Sequence, residues 1–297
     1  MNKRKTILVA GGLGLLAILV IALTGGGSQK SLRRAADSLL AAESLHAKTE
    51  LKINLPPRLG KVDRPFTLIS VLVEGDVQQA DDATPELTGN LLLEARGRGN
   101  VFFADGETRI LKDEVLFNLE NLPVLLNPSG SLVKKWTRVE TSLLKISNGE
   151  EVRQALTEVL ANLANAGTEK VAGEKLTRFT GGLTAEQEER LFETLRQRSS
   201  GSPALHQIAR LLSTNNVKSL DVWVVRGKKE IRRIAVQFVR PLSDGREIDL
   251  ALLTFDFTDY GKEIAIDRPA TALNARPEVF ARVFGSGDLE EITLESP

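Results

Sequence analysis

The spacing of turns constrains this chain most. Between Asn100 and Leu119 the sequence reads as three short strands, Val101–Phe103, Thr108–Leu111 and Val115–Leu119, separated only by Asp105-Gly106 and Lys112-Asp113. A parallel crossover needs about a dozen intervening residues, so turns this close dictate an antiparallel meander. The flanking segments keep the same two-residue period. Thr67 to Val77 sets Ile69, Val71 and Val73 against Ser70, Glu74 and Asp76, and Glu86 to Arg96 sets Leu87, Leu91, Leu93 and Ala95 against Glu86, Thr88, Asn90 and Glu94. Alternation of this kind buries one face of a sheet.

Leu51 and Ile53 open an earlier strand that Pro56-Pro57 ends, and Trp136–Val139 reads as a short one. Three long strands follow, Val217–Arg226, Glu230–Arg240 and Arg246–Phe257, linked by the turns Gly227–Lys229 and Pro241–Gly245; a last strand is expected over Lys262–Ile266. Helical periodicity is confined to a few segments. Ser31 is placed to cap a helix with Leu32, Ala35, Ala36, Leu39 and Leu40 on one face, and Glu150–Asn165, Thr184–Arg198 and Pro203–Leu212 carry similar stripes. Thr184 to Gln187 has the capping-box pattern, and Glu169–Gly182 reads as a hairpin around Ala172–Lys175. The expected class is α+β: a large curved antiparallel sheet, a half-barrel, with a few helices packed on its concave side.

The N-terminus addresses location. Residues 1–5 form a basic tail with Lys3, Arg4 and Lys5, and Thr6–Thr24 are nineteen residues without a charge. A helix of that length spans about 30 Å, the thickness of a bilayer core, and the cations before it stay on the cytoplasmic side. The segment reads as a single-pass anchor in the cell membrane, with a cleaved signal peptide as the competing reading. Residues 25–30 are then a linker, 31–285 a single extracytoplasmic domain and 286–297 an acidic tail. With zero cysteines there is no site for lipid attachment and no disulfide framework, so a hydrophobic core carries the stability of the domain.

Chemistry is sparse. Lys and Arg together number 39 and so do Asp and Glu, which offers nothing for electrostatic capture of nucleic acid. His46 and His206 are the only histidines. They are too few for a metal centre, no Gly-x-Ser-x-Gly elbow is present, and Asp81-Asp82 and Glu188-Glu189 read as solvated charge. The expectation is a protein that is no enzyme and uses no cofactor.

The order of elements resembles the exported lipid-binding proteins of the LolA/LolB type, and more closely the LppX/LprG lipoproteins of mycobacteria. The residues that carry it are Ser44–Thr49 entering the first strand, Trp136–Val139, Asp221–Val224 with Ile231–Ile234, and Phe257–Gly261 running to Asp267–Pro269. The resemblance implies a half-barrel whose apolar cavity binds lipid or glycolipid outside the cytoplasmic membrane. It departs from the pattern in lacking the acylated cysteine. If lipid is held, strand alternation selects Ile69, Val71, Val73, Leu91, Leu93, Phe103, Ile234, Val236, Phe238, Leu250 and Leu252 as cavity wall, while the same side chains would equally pack as a closed core. A second class stays open, a sensing or scaffold module of the same fold that binds another envelope protein.

Overall fold

The computed structural model describes residues 30–54, 58–59, 62–63, 68–79, 85–97, 100–111, 114–122, 133–140, 163–189, 193, 216–241 and 245–274. Helix α1 (Lys30–Leu40) leads into strand β1 (Ser44–Asn54), and the two-residue strands β2 (Arg58–Leu59) and β3 (Val62–Asp63) form a separate small ladder. The meander continues through β4 (Leu68–Gln79), β5 (Pro85–Gly97), β6 (Asn100–Leu111), β7 (Glu114–Asn121) and β8 (Trp136–Glu140). A second meander comprises β9 (Ala164–Val171), β10 (Glu174–Gly181), β11 (Asn216–Val225), β12 (Ile231–Pro241) and β13 (Glu247–Thr258), and β14 (Leu273–Asn274) ends the described chain.

These strands make one open twelve-stranded sheet in the order β14-β8-β7-β6-β5-β4-β1-β13-β12-β11-β10-β9. Every pairing is antiparallel except β14 on β8. Strand β1 sits at the centre, between β4 and β13, and joins the two meanders. One end of the sheet is marked by the finish of β1 at Asn54 and the other by its start at Ser44.

Register sorts the side chains onto two faces. Leu51, Val71, Leu93 and Ala104 stand opposite one another across β1, β4, β5 and β6, as do Leu51 and Leu253 across β1 and β13. This is the inner face. It holds the main core, in which Phe255, Phe257, Ile234, Val222 and Phe179 are almost wholly buried. Helix α1 lays Leu32, Ala35, Ala36 and Leu39 into that core and contacts β11 and β12. Its amphipathic stripe is the one expected, but the helix already includes Lys30, so Ser31 lies within the first turn and is not the cap.

Three glycines allow the sheet to coil tightly. Gly75 and Gly89 are directly opposed across β4 and β5, and Gly106 faces Leu91 from β6. A Cβ on Gly89 would stand 2.5 Å from the Glu74 carbonyl oxygen and 2.8 Å from the Gly75 Cα, and a Cβ on Gly106 would stand 2.7 Å from the Leu119 Cα. Only residues without side chains let the backbones approach so closely on the inner side. Asp105-Gly106 is therefore no turn. It lies inside a continuous β6 that merges the two strands expected over Val101–Phe103 and Thr108–Leu111.

The hairpin expected around Ala172–Lys175 is present as β9 and β10, with Ala172 at φ 47° and Gly173 at φ 89° giving the two left-handed residues that a tight hairpin turn of the right twist requires. The capping box is present too: the Gln187 amide donates to Thr184 Oγ1 at 3.3 Å, and the Thr184 amide donates to Gln187 Oε1 at 3.0 Å. By contrast Ala164 and Asn165, expected to end a helix, belong to β9. Leu163 is described and buried, but residues 150–162, most of Thr184–Arg198 and all of Pro203–Leu212 lie outside the described residues, as do the expected anchor at 6–24, its alternative as a signal peptide, the acidic tail and the linker up to residue 29, whose last expected residue, Lys30, opens α1 instead. Among the described residues no helix is long and apolar enough to cross a membrane.

The strand expected at Lys262–Ile266 does not form. That segment instead runs from the Ser44 end, where the Gly261 amide donates to the Ser44 carbonyl at 2.9 Å, towards β7 and β8. There Arg268 Nε lies 2.7 Å from Glu114 Oε1, Arg138 Nε lies 2.8 Å from Glu114 Oε2, and the Asp267 carbonyl accepts from Arg109. Glu114 is only 5% exposed, so two guanidinium groups offset the cost of burying its charge. Parallel pairing of β14 with β8 follows directly from this anchorage.

Candidate functional site

The inner apolar face changes character along the strands. Towards the Ser44 end Leu45, Ala47, Val73, Leu87, Leu91, Val115 and Phe117 are buried. Towards the Asn54 end Leu51, Ile53, Ile69, Val71, Leu93, Ala95 and Phe102 are only half-buried, although they belong to the same rows. Aliphatic side chains dominate this end, which suits flexible acyl chains better than planar ligands.

Nine of the eleven residues selected from sequence lie in the inner face or its core. Val71 with Leu93 and Val73 with Leu91 form two adjoining rungs on β4 and β5, and Ile69 stands in the next, opposite Ala95. Ile234, Val236 and Phe238 are buried on β12, on the side that α1 covers. Leu250 is buried beside the register shift at Phe238 and Val239. For these four the closed-core alternative describes the packing, whereas Ile69, Val71 and Leu93 stay partly open.

Two of the eleven face outwards. Phe103 stands opposite Glu94 and is 50% exposed, and Leu252 stands opposite Gln237 and Lys52 and is 39% exposed. The phase error on β6 comes from three consecutive apolar residues, Val101 to Phe103, which leave alternation without a mark. It is Phe102, paired with Ala95, that points inwards. On β13 the bulge near Val239 lets both Leu250 and Ala251 join the core, so counting by twos from Leu250 puts Leu252 on the wrong side. Sequence selection also omitted Leu51, Ile53, Ala95 and Leu253, all detectable as partners of selected residues once strand order is known.

The outer face is largely charged. His46 on β1 has Nδ1 2.8 Å from Asp76 Oδ1 and Nε2 3.6 Å from Glu74 Oε1, and Lys48 Nζ lies 3.1 Å from Glu74 Oε2. The Lys48 ammonium, through its hydrogen bond, holds the Glu74 carboxyl below the usual range, with His46 adding to the effect against a smaller cost of burial. His206 lies outside the described residues. Among the described residues no three His, Cys, Asp or Glu side chains converge to hold a metal. Glu188, expected in solvent, accepts instead from the Val217 amide at 2.7 Å, and burial pushes its carboxyl up.

A pocket of about 680 Å³ opens at the Ser44 end beside β9 to β13. A register shift at Trp223 and Val224 leaves Arg232 without an opposite partner on β11, so Ile231 and Ile234 both enter the core while Arg232 and Arg233 both line the pocket. Arg232 is bound by Glu174 at 2.7 and 3.0 Å and Arg233 by Asp256 at 2.5 and 3.1 Å. Trp223 donates to Glu169 with the Arg178 guanidinium 5.3 Å from its ring centre. These forks satisfy one another, and they share the wall with Val171, Leu176 and Trp223.

Fold and site define a class, an open antiparallel half-barrel with an aliphatic inner face and a largely charged outer one. Solved structures similar to this chain include the lipoprotein LppX of Mycobacterium tuberculosis, at 15% identity over 80% of this chain and 96% of that one, with a TM-score of 0.39. They also include LprF of Mycobacterium bovis, at 13% identity over 86% and 98%, with a TM-score of 0.42. Both come from mycobacteria, and LppX is one of the two proteins that name the group the sequence resembles. No family model and no curated protein matches the chain.

Proposed function

We propose that this chain is a membrane-tethered exported protein that holds lipid or glycolipid acyl chains against its inner face and carries out no reaction. One observation carries the reading: the aliphatic rows of β1, β4 and β5 are buried towards the Ser44 end, Val77 apart, but half-buried at the Asn54 end, at Leu51, Ile53, Ile69, Val71 and Leu93. Such a surface is costly in water, and an acyl chain covers it at about 0.8 kcal/mol per buried methylene. The apolar segment Thr6–Thr24 supports the tether, and an uncleaved helix would keep the domain at the membrane instead of releasing it to shuttle.

Native mass spectrometry with lipid extraction, on residues 29–297 produced with export and without detergent, tests the proposal. Co-purifying acyl lipid near one per chain is the expected result; a folded chain of bare mass would refute it. Val71→Trp sharpens the test. It should exclude lipid with little change in stability, because in a filled core the added bulk would instead cost about 1 to 3 kcal/mol. A second reading, a module that binds another envelope protein, is favoured by the outer-face residues Leu92, Val101, Phe103 and Leu252, which are exposed. It predicts a bare mass together with a saturable protein partner.

A further inference from the structure

The outer face carries a band of apolar residues that neither the core nor the charged rows explain. On β4 to β6 it is polar towards the Ser44 end, with Glu74, Asp76, Thr88, Asn90, Glu107 and Arg109 in register. Towards the Asn54 end the same face presents Leu68, Leu72, Leu92, Val101 and Phe103 around the ion pair of Glu94 and Arg96. Val101 is 62% exposed, Phe103 50% and Leu92 37%. Because Ile69, Leu93 and Phe102 point inwards between them, these strand ends are apolar on both faces. Water surrounds a strand end of that kind only at a cost, whereas a nonpolar medium accommodates both faces.

Charge has the same polarity. The sequence between the end of β1 at Asn54 and the start of β4 at Leu68 contains Arg58, Lys61 and Arg64 against Asp63, and the sequence between Gly97 and Asn100 adds Arg98. At the other end of β4 and β5 the connection from Gln79 to Pro85 contains Asp81 and Asp82. Apolar side chains flanked by basic residues match the surface of an anionic bilayer, where the first enter the acyl boundary and the second meet the headgroups.

From this we propose that the Asn54 end of β4 to β6 docks into an anionic phospholipid membrane, with Val101 and Phe103 as the inserted side chains. The proposal rests on the lipid-holding reading, since the docked end is the one at which the inner face is half-buried. Docking would let an acyl chain pass from bilayer to inner face without crossing water. This contact is separate from the tether, which leaves the orientation of the domain free.

The chain has no cysteine. Val101→Cys therefore accepts a single spin label in the full chain reconstituted into vesicles of equal parts phosphatidylglycerol and phosphatidylcholine. The label should become accessible to oxygen and protected from a water-soluble nickel relaxant, while a label at Lys229→Cys, an exposed turn residue at the Ser44 end, stays in water. A Val101 label as wet as the Lys229 one overturns the proposal, and so does protection that appears only when another protein is added. The double variant Val101→Glu/Phe103→Gln changes exposed outer positions and sets no like charge opposite Glu94, so the fold should be unaffected. It should slow uptake of a fluorescent phospholipid from the same vesicles by roughly tenfold, equivalent to 1.4 kcal/mol, without changing the amount bound at equilibrium. Unchanged uptake refutes docking alone, and absence of bound lipid in the parent chain refutes the lipid reading alone.

Discussion

Gly89→Ala puts the coiling of the sheet to a quantitative test. In an ordinary strand the change stabilises, because alanine loses less backbone entropy on folding, by about 0.4 to 1 kcal/mol. Here the new methyl would lie 2.5 Å from the Glu74 carbonyl oxygen, 2.8 Å from the Gly75 Cα and 3.0 Å from the Glu74 carbonyl carbon. All three are backbone atoms of a paired interior strand, so no side chain can swing aside. Relief requires β4 and β5 to separate by the better part of an ångström, and overpacking of this kind costs about 1 to 3 kcal/mol. The net expectation is a loss of about 1 to 2 kcal/mol, seen as a melting temperature lower by roughly 2 to 8 °C in circular dichroism. Gly182→Ala is the matched control. Its methyl would meet nothing nearer than the Lys218 carbonyl oxygen at 3.9 Å, so it should be neutral or slightly stabilising. If Gly89→Ala proves as stable as Gly182→Ala, the close approach of β4 and β5, and the tight coil inferred from it, is wrong.

Tyr260 is the only tyrosine, so its ultraviolet titration is unambiguous. Burial pushes its hydroxyl well above the ordinary 10.0, and that hydroxyl donates to the Ile231 carbonyl at 2.6 Å. No phenolate band should appear at about pH 11 while the chain is folded, and Tyr260→Phe should cost about 1 kcal/mol in urea unfolding; a freely titrating phenol would refute the burial. Glu188 gives a pH test of opposite sense to an ion-paired carboxylate. With its folded value raised by burial above the ordinary 4.5, the native state holds the extra proton, and stability falls as pH climbs from there through the folded value. Glu188→Gln keeps an oxygen for the Val217 amide and should remove that component of the slope on the alkaline side of the ordinary 4.5; parallel urea profiles for parent and variant would refute it.

The sheet was legible where alternation and turn chemistry agreed. On β4 and β5 every inward residue from Ile69 to Val73 and from Leu91 to Leu93 was assigned to the correct face, because the polar residues Ser70, Glu74 and Asp76 on β4 and Thr88, Asn90 and Glu94 on β5 fix the phase on both sides of the apolar runs at residues 71–73 and 91–93. It failed where one signal had two causes. Gly106 was a turn residue by composition, yet its role is to let β6 pass close to β7. Phe103 was chosen over Phe102 because three consecutive apolar side chains carry no phase, and the apolar outer band hid behind the same ambiguity. The fate of Lys262–Ile266 was invisible locally: nothing in that segment shows that Arg268 meets a buried Glu114 from β7. The capping box at Thr184 was readable because both of its hydrogen bonds are local.

The central place of β1 has a consequence for the order in which the molecule can be made. The chain is synthesised from the N-terminus, so the strand that becomes the middle of the finished sheet is made before its partners. It can pair at once with β4, but its other edge, from His46 to Ile53, waits for residues 251–258. Until those residues arrive, the nascent protein displays a long bare ladder of amides and carbonyls, the feature by which unfinished sheets find wrong partners. Lys48, Glu50 and Lys52 line one side of that waiting edge with charge, which discourages a second copy from annealing there. Their place on β1 is thus accounted for by assembly as well as by the solubility of the finished surface.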